Sequence, residues 1–510
     1  MVSRRKASIK NASVALSSQV IRMVGQFIVQ TIFIQTLGAK YLGANGLFSN
    51  LVTFLSFAEL GIGAAFSYAL YAPLAKKDEK LISAIMDLYR KVYNSIGIGI
   101  LILGLGISYF VPSLTNSSSQ LEHIRGYFIL YLLSTVVSYF FTYNRSLLIA
   151  NQMGYIDSKN QMIFSVFRYI FQVLFLIYFN SYLGYLIVQI LSNLLSNLAI
   201  TRLANKQYPF LKTTKKEKLD PQVLKTIKKN VIGTVSSKIG SIVVTGTDNI
   251  LISKFVSLAA VGLYSNYSLI TAGVTTILNQ VFTAVIASFG NLGVTERKNI
   301  KKQLVLFDQF VYVNAFFALF VSLFLFGIFQ PFVNLWVGSK YMLSYSTVIL
   351  IVVNFFLALF RPALYLVNAY GLFWGYRYKS IVEAVVNFGL SFILVKCTSM
   401  GIDGVLLGTI VGNILVNSWW DPMILFTGAY HQNISEFYMK YWAYLALFSS
   451  VLFAEYTFNT RTNIDINNIF ELIIYAILLG LILVIVLLIT LSRTTGQRYF
   501  IERFKMVIKK

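Results

Sequence analysis

The chain has 510 residues, of which 57% are hydrophobic and only 12% charged, against roughly 25% charged residues in a soluble globular protein. With apolar runs of about 20 residues and no ten-residue alternating segments, that balance excludes a soluble enzyme and a β-barrel and leaves an all-α integral membrane protein. The net charge of +24 needs no nucleic acid as a partner, because basic loops beside an anionic inner leaflet give the same excess, and a single cysteine, Cys397, excludes an intramolecular disulfide.

Taken in chain order, the apolar runs predict about fourteen transmembrane helices, at 12–37, 43–71, 92–111, 126–149, 162–180, 182–201, 230–254, 258–289, 305–329, 343–369, 380–396, 402–426, 441–457 and 469–491. The basic N-terminal stretch MVSRRKASIKNAS leads into a long, polar-spotted helix, so it reads as the mature end rather than a cleaved signal. With that end inside, most of the 43 Lys and Arg fall in cytoplasmic segments, and an even number of spans returns the C-terminus to the cytoplasm. The tail after 498 is basic and aromatic and can lie on the membrane surface.

The longest polar stretch, 202–230, separates span six from span seven. It divides the chain into a six-helix lobe at 1–202, a basic cytoplasmic linker at 203–229, a second six-helix lobe at 230–426, and two additional helices with a basic tail at 427–510. An echo supports two parallel repeats around a central cavity: GLFSN at 46–50, opening span two, returns as GLYSN at 262–266, opening span eight. Local convergence on a helix-start sequence is the other reading of so short an echo.

Four cations sit at least six residues inside their predicted span ends: Arg22, Arg168, Lys238 and Arg361. Facing lipid at mid-membrane, each would cost about 2.5–3.5 kcal/mol, so they must meet protein, water or a ligand, or reach an interface. Arg168 is near enough to the cytoplasmic end of its span to snorkel. Arg361 precedes Pro362, which can kink span ten. The offset that carries Gly46 onto Gly262 also carries Arg22 onto Lys238, so two equivalent helices aim a cation at one midplane region, where repeat interfaces hold substrate.

Glu59, in the segment FAELGIG, is the acid nearest the midplane; Asp248 lies nearer the outer end of span seven. Glu59 can pair with Arg22, compete with an anionic ligand for it, or bind a proton or Na⁺ that drives a cycle. Gln19, Gln26, Asn50 and Asn266 add amides to a wet cavity suited to sugars, although interhelical hydrogen bonding accounts for any one of them. His123 and His431 are far apart and without companions, so no metal site is expected.

The stretch LGAKYLGANGLFSN at 37–50, followed by LSFAELGIGAAFSYALYAPLAKKD at 55–78, resembles the start of Wzx-type polysaccharide repeat-unit flippases. These belong to the multidrug/oligosaccharidyl-lipid/polysaccharide exporter superfamily. The resemblance implies two six-helix lobes around a V-shaped cavity, often with two further C-terminal helices. It implies transport of an undecaprenyl-diphosphate-linked oligosaccharide to the outer leaflet of the bacterial cytoplasmic membrane, for capsular or exopolysaccharide synthesis. Arg22 and Lys238, and more weakly Arg361, would engage the diphosphate. Partners would be membrane lipids, the polysaccharide polymerase and glycosyltransferases; no cofactor is implied, and proton or Na⁺ coupling stays open. A lipid II flippase or a multidrug exporter of the same superfamily is the alternative. A membrane polymerase or glycosyltransferase would need a larger loop, and an ATP-driven pump a phosphate-binding GxxxxGK[ST] loop, which the sequence lacks.

Overall fold

The computed structural model describes residues 4–59, 62–115, 121–151, 153–213, 219–222, 224–225, 227–228, 231, 246–295, 299–370, 372, 375, 378–462, 466–492, 494 and 496–497. Among them every regular element is helical, as the composition requires. The chain divides into two compact units, Met1–Gly262 and Leu263–Lys510. Among the described residues, eight helices are long and apolar enough to cross a membrane, nine if one bent pair is a single span.

The first unit is built from α1 (Arg4–Thr36), α2 (Gly38–Leu55), α3 (Ile62–Lys76), α4 (Glu79–Phe110), α5 (Ile124–Tyr139), α6 (Tyr143–Ala150), α7 (Gly154–Phe179) and α8 (Tyr182–Gln207). Short polar caps set several helix starts. Asp78 accepts from the Leu81 amide at 3.0 Å ahead of α4, and Ser181 accepts from the Gly184 amide at 3.1 Å ahead of α8. Gly38, at φ +81°, makes the left-handed turn between α1 and α2 that a side-chain-bearing residue resists.

The predicted span 43–71 is not one helix. After α2 the backbone tightens into a 3₁₀ turn at Ser56–Glu59 before α3 begins. The predicted span 126–149 is likewise α5 and α6, bent by 44°.

Within the first unit, the start of α2 packs on a first helical turn at 258–262. A Cβ on Gly43 of α2 would lie 1.7 Å from the carbonyl oxygen of Leu258, and one on Gly262 would lie 2.2 Å from that of Ala39. Only glycine allows backbones this close, the packing that small residues give in membrane helices.

The second unit continues α9 (Leu258–Thr295), whose first turn lies in the first unit, and adds α10 (Ile300–Val337), α11 (Tyr345–Leu359), α12 (Pro362–Tyr370), α13 (Lys379–Cys397), α14 (Ile402–Gly412), α15 (Ser418–Leu425), α16 (Ser435–Thr462) and α17 (Ile469–Thr490). Span ten breaks between α11 and α12 at Phe360 and Arg361, where Pro362 cannot supply the next backbone donor. π-Helical turns at Asn413–Asn417 and Phe426–Tyr430 flank α15. Aromatic stacking fills the core: Phe356 lies on Phe448 at 4.0 Å and Phe360 on Tyr441 at 5.1 Å between ring centroids.

Candidate functional site

Within the first unit, α1, α5, α6, α7 and α8 line an open polar cavity of about 400 Å³, with Arg22, Arg145 and Arg168 all in its wall. Arg22 stands midway along α1. It donates from Nη2 to Gln19 Oε1, one turn earlier, at 2.6 Å, and from Nη1 to Gln161 Oε1 of α7 at 3.3 Å. The chain of bonds continues from Gln161 Nε2 to Asp157 Oδ2 at 2.8 Å. The other oxygen of Asp157 accepts from Arg145 Nη1 at 2.9 Å. Arg145 Nη2 also donates to Asn197 Oδ1 at 2.7 Å and Ser196 Oγ at 3.1 Å.

The charges around the cavity do not cancel. Asp157 neutralises Arg145, whereas among the described residues neither Arg22 nor Arg168 has a carboxylate within ion-pair distance. Arg168 instead lies over the Tyr169 ring, with its guanidinium carbon 5.2 Å from the centroid. It also lines a second polar cavity of about 220 Å³ with Gln26, Gln30 and Gln189. Arg168 therefore turns into the unit and divides two wet spaces, where snorkelling was the expectation.

Two guanidinium groups in one polar cavity with no carboxylate partner among the described residues suit a ligand with at least two negative charges. A planar fork of donors matches phosphate oxygens in pairs.

Glu59 closes the 3₁₀ turn after α2. Its carboxylate accepts from Tyr139 Oη at 2.5 Å and from Tyr93 Oη at 3.3 Å, and the Arg22–Glu59 pair is not formed. Asn50 donates to the Gly246 carbonyl at 3.3 Å, and Gln26 is exposed on α1. Asp248 is half-buried in a helical stretch at 246–255, and Asn266 is fully buried near the start of α9. Lys238 lies outside the described residues.

Arg361, expected to face an anion, is engaged inside the second unit. Its Nε and Nη2 donate to Asp421 Oδ2 at 2.9 and 2.6 Å. Lys379 bridges Asp421 Oδ1 at 3.0 Å and Glu383 Oε2 at 3.1 Å, and Asn417 donates to Glu383 Oε1 at 2.8 Å. Two cations thus meet two carboxylates, which neutralises the cluster. Sequence reasoning missed Arg145, Asp157, Lys379 and Asp421 as site or network residues; an Arg inside the predicted span 126–149 and an Asp inside 402–426 were the signals available.

No protein-family model and no curated protein matches the sequence. Solved structures do match. The chain is similar to a multidrug-resistance transporter of the MATE family of the MOP superfamily in an inward-facing conformation, with a TM-score of 0.62 at 18% identity over 81% of this chain and 98% of that one. It is similar to the lipid II flippase MurJ in an inward closed conformation, with a TM-score of 0.62 at 15% identity over 95% of this chain and 100% of that one. The fold is that of the MOP transporters. A third similar structure, a MOP-superfamily transporter from Pyrococcus furiosus described as having a binding pocket of reversed polarity, has a TM-score of 0.51 at 16% identity, over 83% of this chain and 97% of that one.

Proposed function

We propose that this protein is a flippase that moves undecaprenyl-diphosphate-linked oligosaccharide repeat units from the inner to the outer leaflet of the bacterial cytoplasmic membrane by alternating access. The observation that carries the reading is the pair of arginines without counter-charges, Arg22 and Arg168, in the polar cavity of the first unit. A diphosphate leaving the interface loses part of its hydration, and charge-assisted guanidinium donors replace that water. Amides and hydroxyls around them, Gln161, Ser165 and Asn193 among them, supply neutral partners to the first sugars.

In this reading the arginines recognise the diphosphate, which all repeat units share. Discrimination between glycans then falls to the neutral lining. Lys238, equivalent to Arg22 by the repeat offset, supplies a further cation to the head group. Glu59, held by Tyr93 and Tyr139, carries the coupling proton or Na⁺, because it is a carboxylate at a helix break without a basic partner among the described residues.

A lipid II flippase would present the same diphosphate to the same arginines, so the test must read the cargo. Cells depleted of the protein are extracted, and their lipid-linked intermediates are resolved by mass spectrometry with an impermeant probe of sidedness. The expected result is a complete diphosphate-linked oligosaccharide on the inner leaflet. Accumulated lipid II would assign the cargo to the cell wall instead. An incomplete glycan would indicate a transferase, and unchanged lipid pools would overturn the flippase reading.

A further inference from the structure

The α1–α7 pair has two sides of opposite character. Arg22 and Gln26 on α1, with Gln161, Arg168 and Gln172 on α7, line the two polar cavities. Ile21, Val24 and Ile28, spaced three and four apart on α1, line the other side, as do Val166, Ile170 and Leu174 on α7. Such spacings keep each stripe on one face of its helix.

Where the apolar stripes meet they form a groove of about 530 Å³ with aliphatic walls. The walls are open: Val24, Ile28 and Ile170 are each more than half exposed. At the seam, Gly25 touches the Tyr169 ring so closely that a Cβ would lie 2.3 Å from it. Tyr169 lines both the groove and the smaller polar cavity, so one ring separates apolar from polar space.

We propose that this groove seats the head-proximal part of a polyprenyl chain whose diphosphate occupies the arginine cavity of the same unit. The inference rests on the cargo reading above, which gave the chain no place. In a bilayer an apolar groove cannot select one tail by hydrophobicity, since every lipid tail is equally apolar. Selection needs a tether, and here the head-group site is on the same two helices: Arg22 follows Ile21, and Arg168 lies between Val166 and Ile170.

In this proposal the head-to-tail junction has to pass the α1–α7 seam, which Arg22 and Gln161 bridge at 3.3 Å. A phosphate oxygen is a stronger acceptor than an amide and can take over that donor. Ile21 to Ile28 and Val166 to Leu174 each extend about 10–12 Å at 1.5 Å per residue, so most of a long chain remains in the bilayer. The walls are rich in Val and Ile, whose β-branched side chains are stiff at χ1.

The test uses the full chain in phosphatidylglycerol nanodiscs with undecaprenyl diphosphate as the probe. p-Benzoylphenylalanine is placed at position 170 in the groove or, as a control, at 477 on the exposed face of α17. Polyprenyl adducts are expected at least tenfold enriched at 170 over 477. Equal enrichment, or phosphatidylglycerol adducts alone at 170, overturns the proposal.

A second measurement fills the groove with Ile170→Trp. Binding of undecaprenyl diphosphate should weaken at least tenfold while binding of inorganic diphosphate stays within twofold; unchanged or equal losses count against the groove. Inorganic diphosphate that binds through Arg22 and Arg168, together with a control-like adduct pattern, would sink the groove alone. Binding of neither probe to the wild type would sink the cargo reading and the groove with it.

Discussion

Arg22 Nη1 donates to Gln161 Oε1 across the α1–α7 seam at 3.3 Å, while the amide nitrogen of Gln161 is turned to Asp157. The glutamine fixes the arginine without neutralising it, because an amide supplies an acceptor and no charge. A ligand oxygen that displaces Gln161 therefore meets an already oriented, fully charged donor.

Arg22→Ala should reduce export of lipid-linked oligosaccharide by about 10–150-fold, the equivalent of about 1.5–3 kcal/mol for a hydrogen bond to a charged group, with the protein still in the membrane. Arg22→Lys should recover little of this if paired donors are needed, since an ammonium cannot form the fork. Polysaccharide display together with immunodetection of the membrane fraction measures both; wild-type display by Arg22→Ala would count against the anion site.

Asp421 sits between Arg361 and Lys379, with its side chain only 3% exposed. Asp421→Asn leaves two cations facing each other in a buried place, and should cost about 3–5 kcal/mol of stability. Replacing Arg361 and Asp421 together, as Arg361→Met with Asp421→Leu, leaves Lys379 on Glu383 and should recover most of the loss. Thermal unfolding in detergent, read for single and double variants, decides whether this cluster is structural.

Glu59→Gln should remove the dependence of flipping on the imposed proton or Na⁺ gradient while leaving the fold intact, since an amide still accepts from Tyr139. Transport by the reconstituted protein, measured with each gradient applied in turn, identifies the ion. Unaltered dependence on both gradients in Glu59→Gln would remove this residue from the coupling.

Gly25→Ala forces a methyl group into the Tyr169 ring and should destabilise the first unit by about 1–3 kcal/mol, the usual cost of overpacking. Adding Tyr169→Ala opens the space and should restore most of that. The melting temperatures of the single and double variants test the contact.

The helical class and the depth of Arg22 within α1 were legible because both follow from local quantities: the length of apolar runs, and the position of a charge within one. The break at Arg361 was also legible, since Pro362 announces it. The bend between α5 and α6 was not, because neither Gly nor Pro occurs at residues 140–142. The partners of the cations were beyond reach for a different reason. Arg361 lies in the break before α12 and Asp421 on α15, and Arg22 and Gln161 are on separate helices; helical periodicity says which face a residue occupies but not which neighbour that face meets. Arg168 illustrates the cost: its distance from a helix end suggested an interfacial residue, whereas packing against α1 turns it into the cavity.

In the flippase proposed above, Arg22 and Arg168, which have no carboxylate partner among the described residues, also bear on what drives the cycle. A diphosphate head group moving outward across an inside-negative membrane travels down the electrical potential, by about 2.3 kcal/mol per elementary charge for every 100 mV. Arg22 and Arg168 are fixed to helices and are not released with the cargo. The resting voltage of the cell would then act on the cargo's charge directly and favour export before any ion is coupled to it.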